Sequence, residues 1–272
     1  MTKKDTQAEA GYRYKRLTPK LLFDDFSFDK RSPQPGDKAP EFELQTVDGK
    51  TIQSADILSG RPVLLTFGSM SCPMTASSIS PLQRLHAEFG DKVDFLMLNV
   101  REAHPGENIV QPDTFDEKLE HARAMKKQLD IPFSVAVDDI DGTLHRALDT
   151  KPNAAYLIDI DGTIAFRSLW AADENGLREA LTKITQGQNL AKRQSLAMFG
   201  PLAGGMGYFH EVLKRAGRQA QLDMLKAAPP IFLVGRIASL FQTLSPKSRG
   251  MAALATLGSL IFVAIGVLGW LS

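Results

Sequence analysis

Hydrophobic and polar positions follow two regimes along this chain. From Gly36 to Ile184, short alternating or continuous apolar runs take turns with stretches of helical spacing. FELQTVDGKTI (42–52) alternates on both sides of Asp48-Gly49, a favoured tight turn, and predicts a hairpin. Arg61–Phe67 predicts a strand, and a helix is expected from about Pro73 to Phe89. Val93–Val100 is apolar almost throughout, as a central strand is. After the polar loop EAHPGENIVQPDT, helical spacing returns at about Phe115–Leu129. Phe133–Val137 reads as a strand and Gly142–Leu148 as a short helix. Ala154–Ile160 and Thr163–Ser168 form a second hairpin about Asp161-Gly162, and an amphipathic helix runs from about Asp173 to Ile184. The order β-β-β-α-β-α-β-(α)-β-β-α predicts a mixed sheet with helices on both faces.

The flanks differ. Residues 1–35 read as an irregular leader, with the aromatics of LLFDDFSFD available to pack on residues 36–188. After Gln188, SLAMFGPLAGGMGYF is rich in glycine and apolar residues, His210–Lys226 reads as a basic helix, and Pro229-Pro230 opens IFLVGRIASLFQTL, too short to span a bilayer. Residues 189–249 are therefore expected to be basic amphipathic helices, lying on a membrane surface or pairing in a homodimer. Gly250–Ser272 carries no charge; as a helix it would reach roughly 34 Å, against a bilayer core of about 30 Å. With Lys247 and Arg249 before it and Trp270 near its end, it predicts a single transmembrane helix at the C-terminus, with the main domain on the cytoplasmic side.

Composition narrows the class. The 272 residues, 43% hydrophobic and 23% charged, suit a globular protein of one large or two small domains. The net charge of +1 hides an excess of nine Lys/Arg over two acidic residues from Lys192 onward. Those cations lie among apolar helical stretches rather than in a polar stripe, which argues against nucleic acid as a partner. A single cysteine excludes an intrachain disulfide and a cysteine-rich metal cluster, and it fits a reducing compartment. The N-terminus lacks the apolar core of a signal peptide. DDIDG (138–142) and DIDG (159–162) lack the spacing of a Ca²⁺ loop and read as turns.

That one cysteine sits in LLTFGSMSCPMT, where a strand gives way to a helix. Pro73 suits the first helical position. Backbone N–H groups and the helix dipole would then favour the Cys72 thiolate, with the Thr75 hydroxyl within reach. The alternative is a buried, inert thiol. His104, taken alone, reads as a histidine before proline in a solvated loop, and His86, His121, His145 and His210 read as surface residues.

The turn FGSMSCPMT resembles the active-site turn of thioredoxin-fold proteins, and Pro152 in KPNAAYLIDIDG resembles that fold's cis-proline beside the site. Together, RPVLLTFGSMSCPM, VDFLMLNVREAHPGE and KPNAAYLIDIDGTIAFR resemble the iodothyronine deiodinases, over about Gly36–Thr185. The resemblance implies a thioredoxin-like α/β mixed sheet flanked by helices. It puts Cys72 at the family's selenocysteine position and Ser69 at the serine three residues before it. Glu102, Ala103, His104 and Pro105 match the family's EAHP segment. Met70 stands at an auxiliary cysteine and Asn99 at a tyrosine, and Arg178 lies near an arginine of the last helix. By the same resemblance, Cys72 would attack an aryl iodine and His104, oriented by Glu102, would protonate the leaving carbon. An external thiol such as glutathione or thioredoxin would restore the enzyme, with no bound cofactor or metal.

Two other functions compete. A one-cysteine peroxidase would use the same thiol on a peroxide. The spacing Pro62-x-x-x-Thr66 resembles the peroxiredoxin signature, but Ser69 fills its cysteine slot and Thr66 is placed inside the strand. A non-catalytic thioredoxin-fold adaptor would need no second thiol, and the chain has none.

Overall fold

The computed structural model describes residues 11–57, 60–190 and 193–271, the side chains of 57, 261 and 263–271 excepted. An eight-stranded sheet is its frame. The helix α1 (Pro19–Asp24) precedes the hairpin β1 (Glu43–Thr46) and β2 (Thr51–Gln53), and one turn of helix, α2 (Ser54–Ile57), follows. Then come β3 (Val63–Gly68), α3 (Pro73–Phe89), β4 (Asp94–Asn99), α4 (Phe115–Gln128), β5 (Ser134–Val137) and α5 (Thr143–Leu148). The second hairpin, β6 (Ala155–Ile158) and β7 (Ile164–Ser168), leads to α6 (Glu174–Thr185) and a two-residue strand, β8 (Gln194–Ser195). The spatial order is β2-β1-β5-β4-β3-β6-β7-β8. Pairs β3–β4 and β4–β5 are parallel, whereas β6 runs antiparallel to β3.

The mixed sheet agrees with the apolar runs. Val63, Leu64, Leu65 and Phe67 of β3 have no exposed surface, which is what a strand covered on both faces requires. The faces are covered unequally. Ile79, Leu82 and Leu85 of α3, Leu119 and Met125 of α4, and Leu177 and Leu181 of α6 form one core cluster with Leu64, Met97 and Val135. On the other face Leu144 and Leu148 of α5 join Leu65, Phe67 and Leu98, with Phe28 and Phe42 of the N-terminal segment closing over them. Tyr14 of that segment is buried and donates its hydroxyl to the carbonyl of Ala103 at 2.9 Å.

Beyond β8 the chain is helical: α7 (Phe199–Ala216), α8 (Arg218–Ala227), α9 (Pro229–Ala238) and α10 (Pro246–Leu271). The single basic helix expected over His210–Lys226 is in fact two, divided at Gly217, whose φ of 125° breaks the helical backbone. The glycine-rich start of α7 is helical because small residues let other elements approach it. Gly204 faces Ser77 of α3, Gly205 faces Met74, and Gly207 faces the backbone of Pro246.

The C-terminal transmembrane helix, and with it the single-pass anchor and the cytoplasmic placement, is not supported. Among the described residues no helix is long and apolar enough to cross a membrane. The stretch read as lipid-facing starts as a packing element: Gly250 faces the carbonyl of Ala203 in α7, and Ala253 is buried against Val234 and Ala238 of α9. Small apolar residues serve a close helix–helix seam as well as a bilayer, and hydropathy alone does not separate the two. The side chain of Trp270 lies outside the described residues.

Candidate functional site

Cys72 occupies the N-cap of α3, with extended backbone (φ −97°, ψ 116°) and Pro73 at the first helical position. The turn before it is held tightly. A Cβ at Gly68 would press on Met97 and on Thr75 Cγ2, so the end of β3 needs glycine there. The N–H of Ser69 donates to Thr75 Oγ1 at 3.2 Å, and Ser69 Oγ accepts from the N–H of Ala103 at 3.3 Å.

A second set of bonds ties this turn to the loop after β4. Ser71 donates to Glu102 Oε2 through its N–H at 2.8 Å and through its hydroxyl at 2.6 Å, and its Oγ accepts from the N–H of His104 at 3.0 Å. Glu102 is buried, and its Oε1 meets His121 Nδ1 at 2.9 Å. The expected contact from Glu102 to His104 is therefore replaced: Glu102 orients His121, and the link to His104 runs through Ser71 and backbone. His121 is correspondingly only partly exposed, and its pKa is raised by the Glu102 hydrogen bond. His145 is wholly buried, with Nε2 against the carbonyl of Lys151 at 2.8 Å. Neither is the surface residue its sequence context suggested.

His104 is buried, its Nδ1 has no hydrogen-bond partner among the described residues, and its ring lies edge-on to Phe209 of α7 at 6.4 Å between centroids. Burial pushes its pKa down to about 4, so the ring is neutral at neutral pH. Cys72 is also buried, and its thiol is pushed up to about 11. Burial is the largest cause; hydrogen bonding at Thr75 and the N–H of Met74 pull the other way, and the charge of Asp25 adds to the rise. The thiolate expected from the helix N-terminus is thus overridden by desolvation, because the dipole contributes about 1 kcal/mol at a helix end and burial costs more.

Cys72, Pro73, His104 and Pro152 line one cavity of about 490 Å³. Pro152 sits there because Asn153 is buried and donates through Nδ2 to the carbonyl of Phe67 at 2.9 Å. No cis peptide bond occurs among the described residues, so the likeness of Pro152 to the fold's cis-proline stops at its position. Trp170, whose Nε1–H reaches Met198 Sδ at 3.2 Å, closes one side, and Met206, Phe209 and Ile231 of the C-terminal helices close another. Leu22, Asp25 and Phe26 complete the wall. Arg178 lies elsewhere, in ion pairs with Glu88 and Glu174, and the structure does not bring it to Cys72. Ser71 and Asp25 escaped the sequence reading. An acidic pair inside the aromatic run LLFDDFSF is the one signal that pointed to Asp25.

The comparisons with known proteins address this same region. Residues 35–167 match the AhpC/TSA family. Thyroxine 5-deiodinase of Sparus aurata is 28% identical over 140 residues, which are 47% of this chain and 52% of that protein. The Gallus gallus thyroxine 5-deiodinase is 31% identical over 140 residues, covering 47% of this chain and 54% of the relative. This chain thus spans about half the length of these curated relatives. A solved structure of an uncharacterized conserved protein from Geobacillus kaustophilus superposes with a TM-score of 0.50 at 20% identity, covering 62% of this chain and 90% of that one. The thioredoxin-fold part of the chain is thus similar, over residues 35–167, to the AhpC/TSA family and, at 28–31% identity, to the thyroxine 5-deiodinases.

Proposed function

We propose that this chain is a thiol-dependent oxidoreductase in which Cys72 removes iodine from an iodinated aromatic. The observation that supports this reading best is the cavity itself. Its walls are apolar and aromatic, and Cys72 and His104 are two of its few polar groups. In the first step the Cys72 sulfur, as thiolate, attacks the iodine of an aryl iodide. A proton goes to the ring carbon, giving the deiodinated arene and a cysteine sulfenyl iodide. One external thiol then displaces iodide and forms a mixed disulfide, and a second thiol releases Cys72 and leaves the reductant as its disulfide. His104, neutral and with Nδ1 unpartnered, offers a ring nitrogen to the substrate.

Iodide release from an iodothyronine by the full chain, with dithiothreitol as reductant, tests this beside Cys72→Ser. Release that disappears in the variant supports dehalogenation by Cys72. No release above the variant overturns it. The AhpC/TSA match favours a second reading, a one-cysteine peroxidase acting through the same thiol. Peroxide consumption that depends on Cys72 and comes without iodide release would establish that reading instead.

A further inference from the structure

The Cys72 thiol needs a base that neither its own turn nor His104 supplies. It holds its proton up to about 11, yet the chemistry requires that proton to leave as the sulfur attacks. His104, held near 4, is a poor acceptor. The remaining ionisable group on the cavity wall, among the described residues, is Asp25.

Asp25 is the C-cap residue of α1, and its backbone N–H is spent on the carbonyl of Leu22. Its carboxyl has neither a hydrogen-bond nor an ion-pair partner among the described residues, although charged groups surround it. Arg101 and Lys151 favour its ionised form, and Asp24 and Asp149 oppose it. Both cations are committed elsewhere. Arg101 donates to the carbonyls of Tyr12 and Thr150 at 2.9 and 3.2 Å, and Lys151 donates to the carbonyl of Asp24 and pairs with Asp149 at 3.5 Å. The neighbours Tyr14 and Cys72 both feel the charge of Asp25. Desolvation raises the carboxyl to about 7, where it binds and releases a proton near neutrality.

We infer that Asp25, on the wall of the cavity it shares with Cys72, is the proton carrier of the site: its carboxylate takes the proton from the Cys72 thiol as the sulfur attacks. The inference rests on the dehalogenation reading for the second half of the transfer, in which Asp25 hands the same proton to the ring carbon that loses iodine. The balance closes within the cavity, as thiol and aryl iodide become sulfenyl iodide and arene with no net proton uptake. Two negative charges in one apolar cavity repel, and the charge of Asp25 adds to the rise of the Cys72 thiol, so ionisation of the carboxyl opposes a free thiolate and favours transfer of the proton as the sulfur attacks.

The test uses iodoacetamide as a probe of Cys72 in the full chain, so that it does not depend on the natural substrate. Alkylation of the native chain is followed across about pH 5 to 9, where a base of this kind is switched on. The rate is expected to rise in a step near 7. Asp25→Asn is expected to lose that step and, with an iodothyronine in place of iodoacetamide, to release iodide about 10²-fold more slowly, while Asp24→Asn on the exposed side of α1 retains the step. Asp25→Glu restores a step at a displaced pH. A step that persists unchanged in Asp25→Asn, or a native chain without one, overturns the inference. Should Asp25→Asn fail to fold, Asp25→Glu decides: a displaced step supports Asp25 and an unmoved step overturns it. A step that depends on Asp25 in a chain that releases no iodide from an iodothyronine supports proton transfer to Asp25 and overturns dehalogenation alone.

Discussion

Ser71 holds Glu102 twice, through its N–H at 2.8 Å and its hydroxyl at 2.6 Å, and the same hydroxyl oxygen receives the N–H of His104. One serine beside the thiol therefore fixes both the carboxylate and the histidine of the neighbouring loop. Ser71→Ala is expected to cost about 1–3 kcal/mol, because it strips a hydrogen bond from a buried carboxylate and leaves a buried N–H unpaired. Urea unfolding of the two chains measures it. A variant as stable as the native chain would show that the loop keeps its place without this serine.

The pairing of Glu102 with His121 makes stability depend on pH in a defined direction. The pKa of His121 is raised in the folded chain, chiefly by its hydrogen bond to Glu102. Its contribution is thus complete below the ordinary histidine value of about 6.5 and fades as pH rises through the raised value. His104 and His145, both lowered by burial, titrate in the opposite sense. The informative quantity is therefore the difference between the native chain and His121→Gln. That difference in urea midpoint is expected to be largest in mild acid and to shrink toward alkaline pH. A difference independent of pH would mean that the His121 charge contributes nothing.

Phe209 of α7 is buried against the ring of His104 and also lies where Gly235 of α9 comes close. Phe209→Ala should cost about 3–5 kcal/mol, as expected for truncating a large buried aromatic. It should also raise the KM for an iodinated aromatic more than it lowers kcat, because it removes a wall and leaves the thiol in place. Steady-state kinetics beside thermal melts would separate the two effects.

The seam between α7 and α10 depends on glycine. Gly207 faces the backbone of Pro246, and Gly250 faces the carbonyl of Ala203. Backbone cannot swing aside as a side chain does, so Gly207→Val is expected to cost at least about 1–3 kcal/mol. Protease cleavage within α10 would then become faster. Cleavage at the native rate would show that the helix does not rely on this approach.

Much of this architecture was legible from the residues, because β3 and β4 are continuous apolar runs bracketed by turn signals. The FGSMSCPMT turn and the EAHP segment also pointed to two loops that the folded chain joins through Ser69–Ala103 and Ser71–Glu102. What escaped shares one physical cause. The protonation of Cys72 is not legible locally: helix geometry favours thiolate, whereas burial in a cavity walled by residues far away in the chain, among them Met206 and Phe209, pushes the thiol up. Asp25 escapes for the same reason, since nothing local says that an acidic residue at the end of a short helix will be folded into an apolar wall. The apolar run after Gly250 was assigned to lipid because Gly250 and Ala253 look alike whether a bilayer or α7 and α9 receive them.

The cavity wall draws on three stretches that are remote in sequence, yet Cys72, His104 and Pro152 fall within the family-matched residues and Asp25, Met206 and Phe209 fall outside them. The thiol turn and much of the wall that encloses it are thereby drawn from different parts of the chain. Exchange of the C-terminal helices would reshape the cavity and leave the thiol turn in place, whereas exchange of the leader would also take the Asp25 carboxyl away from the cavity of Cys72.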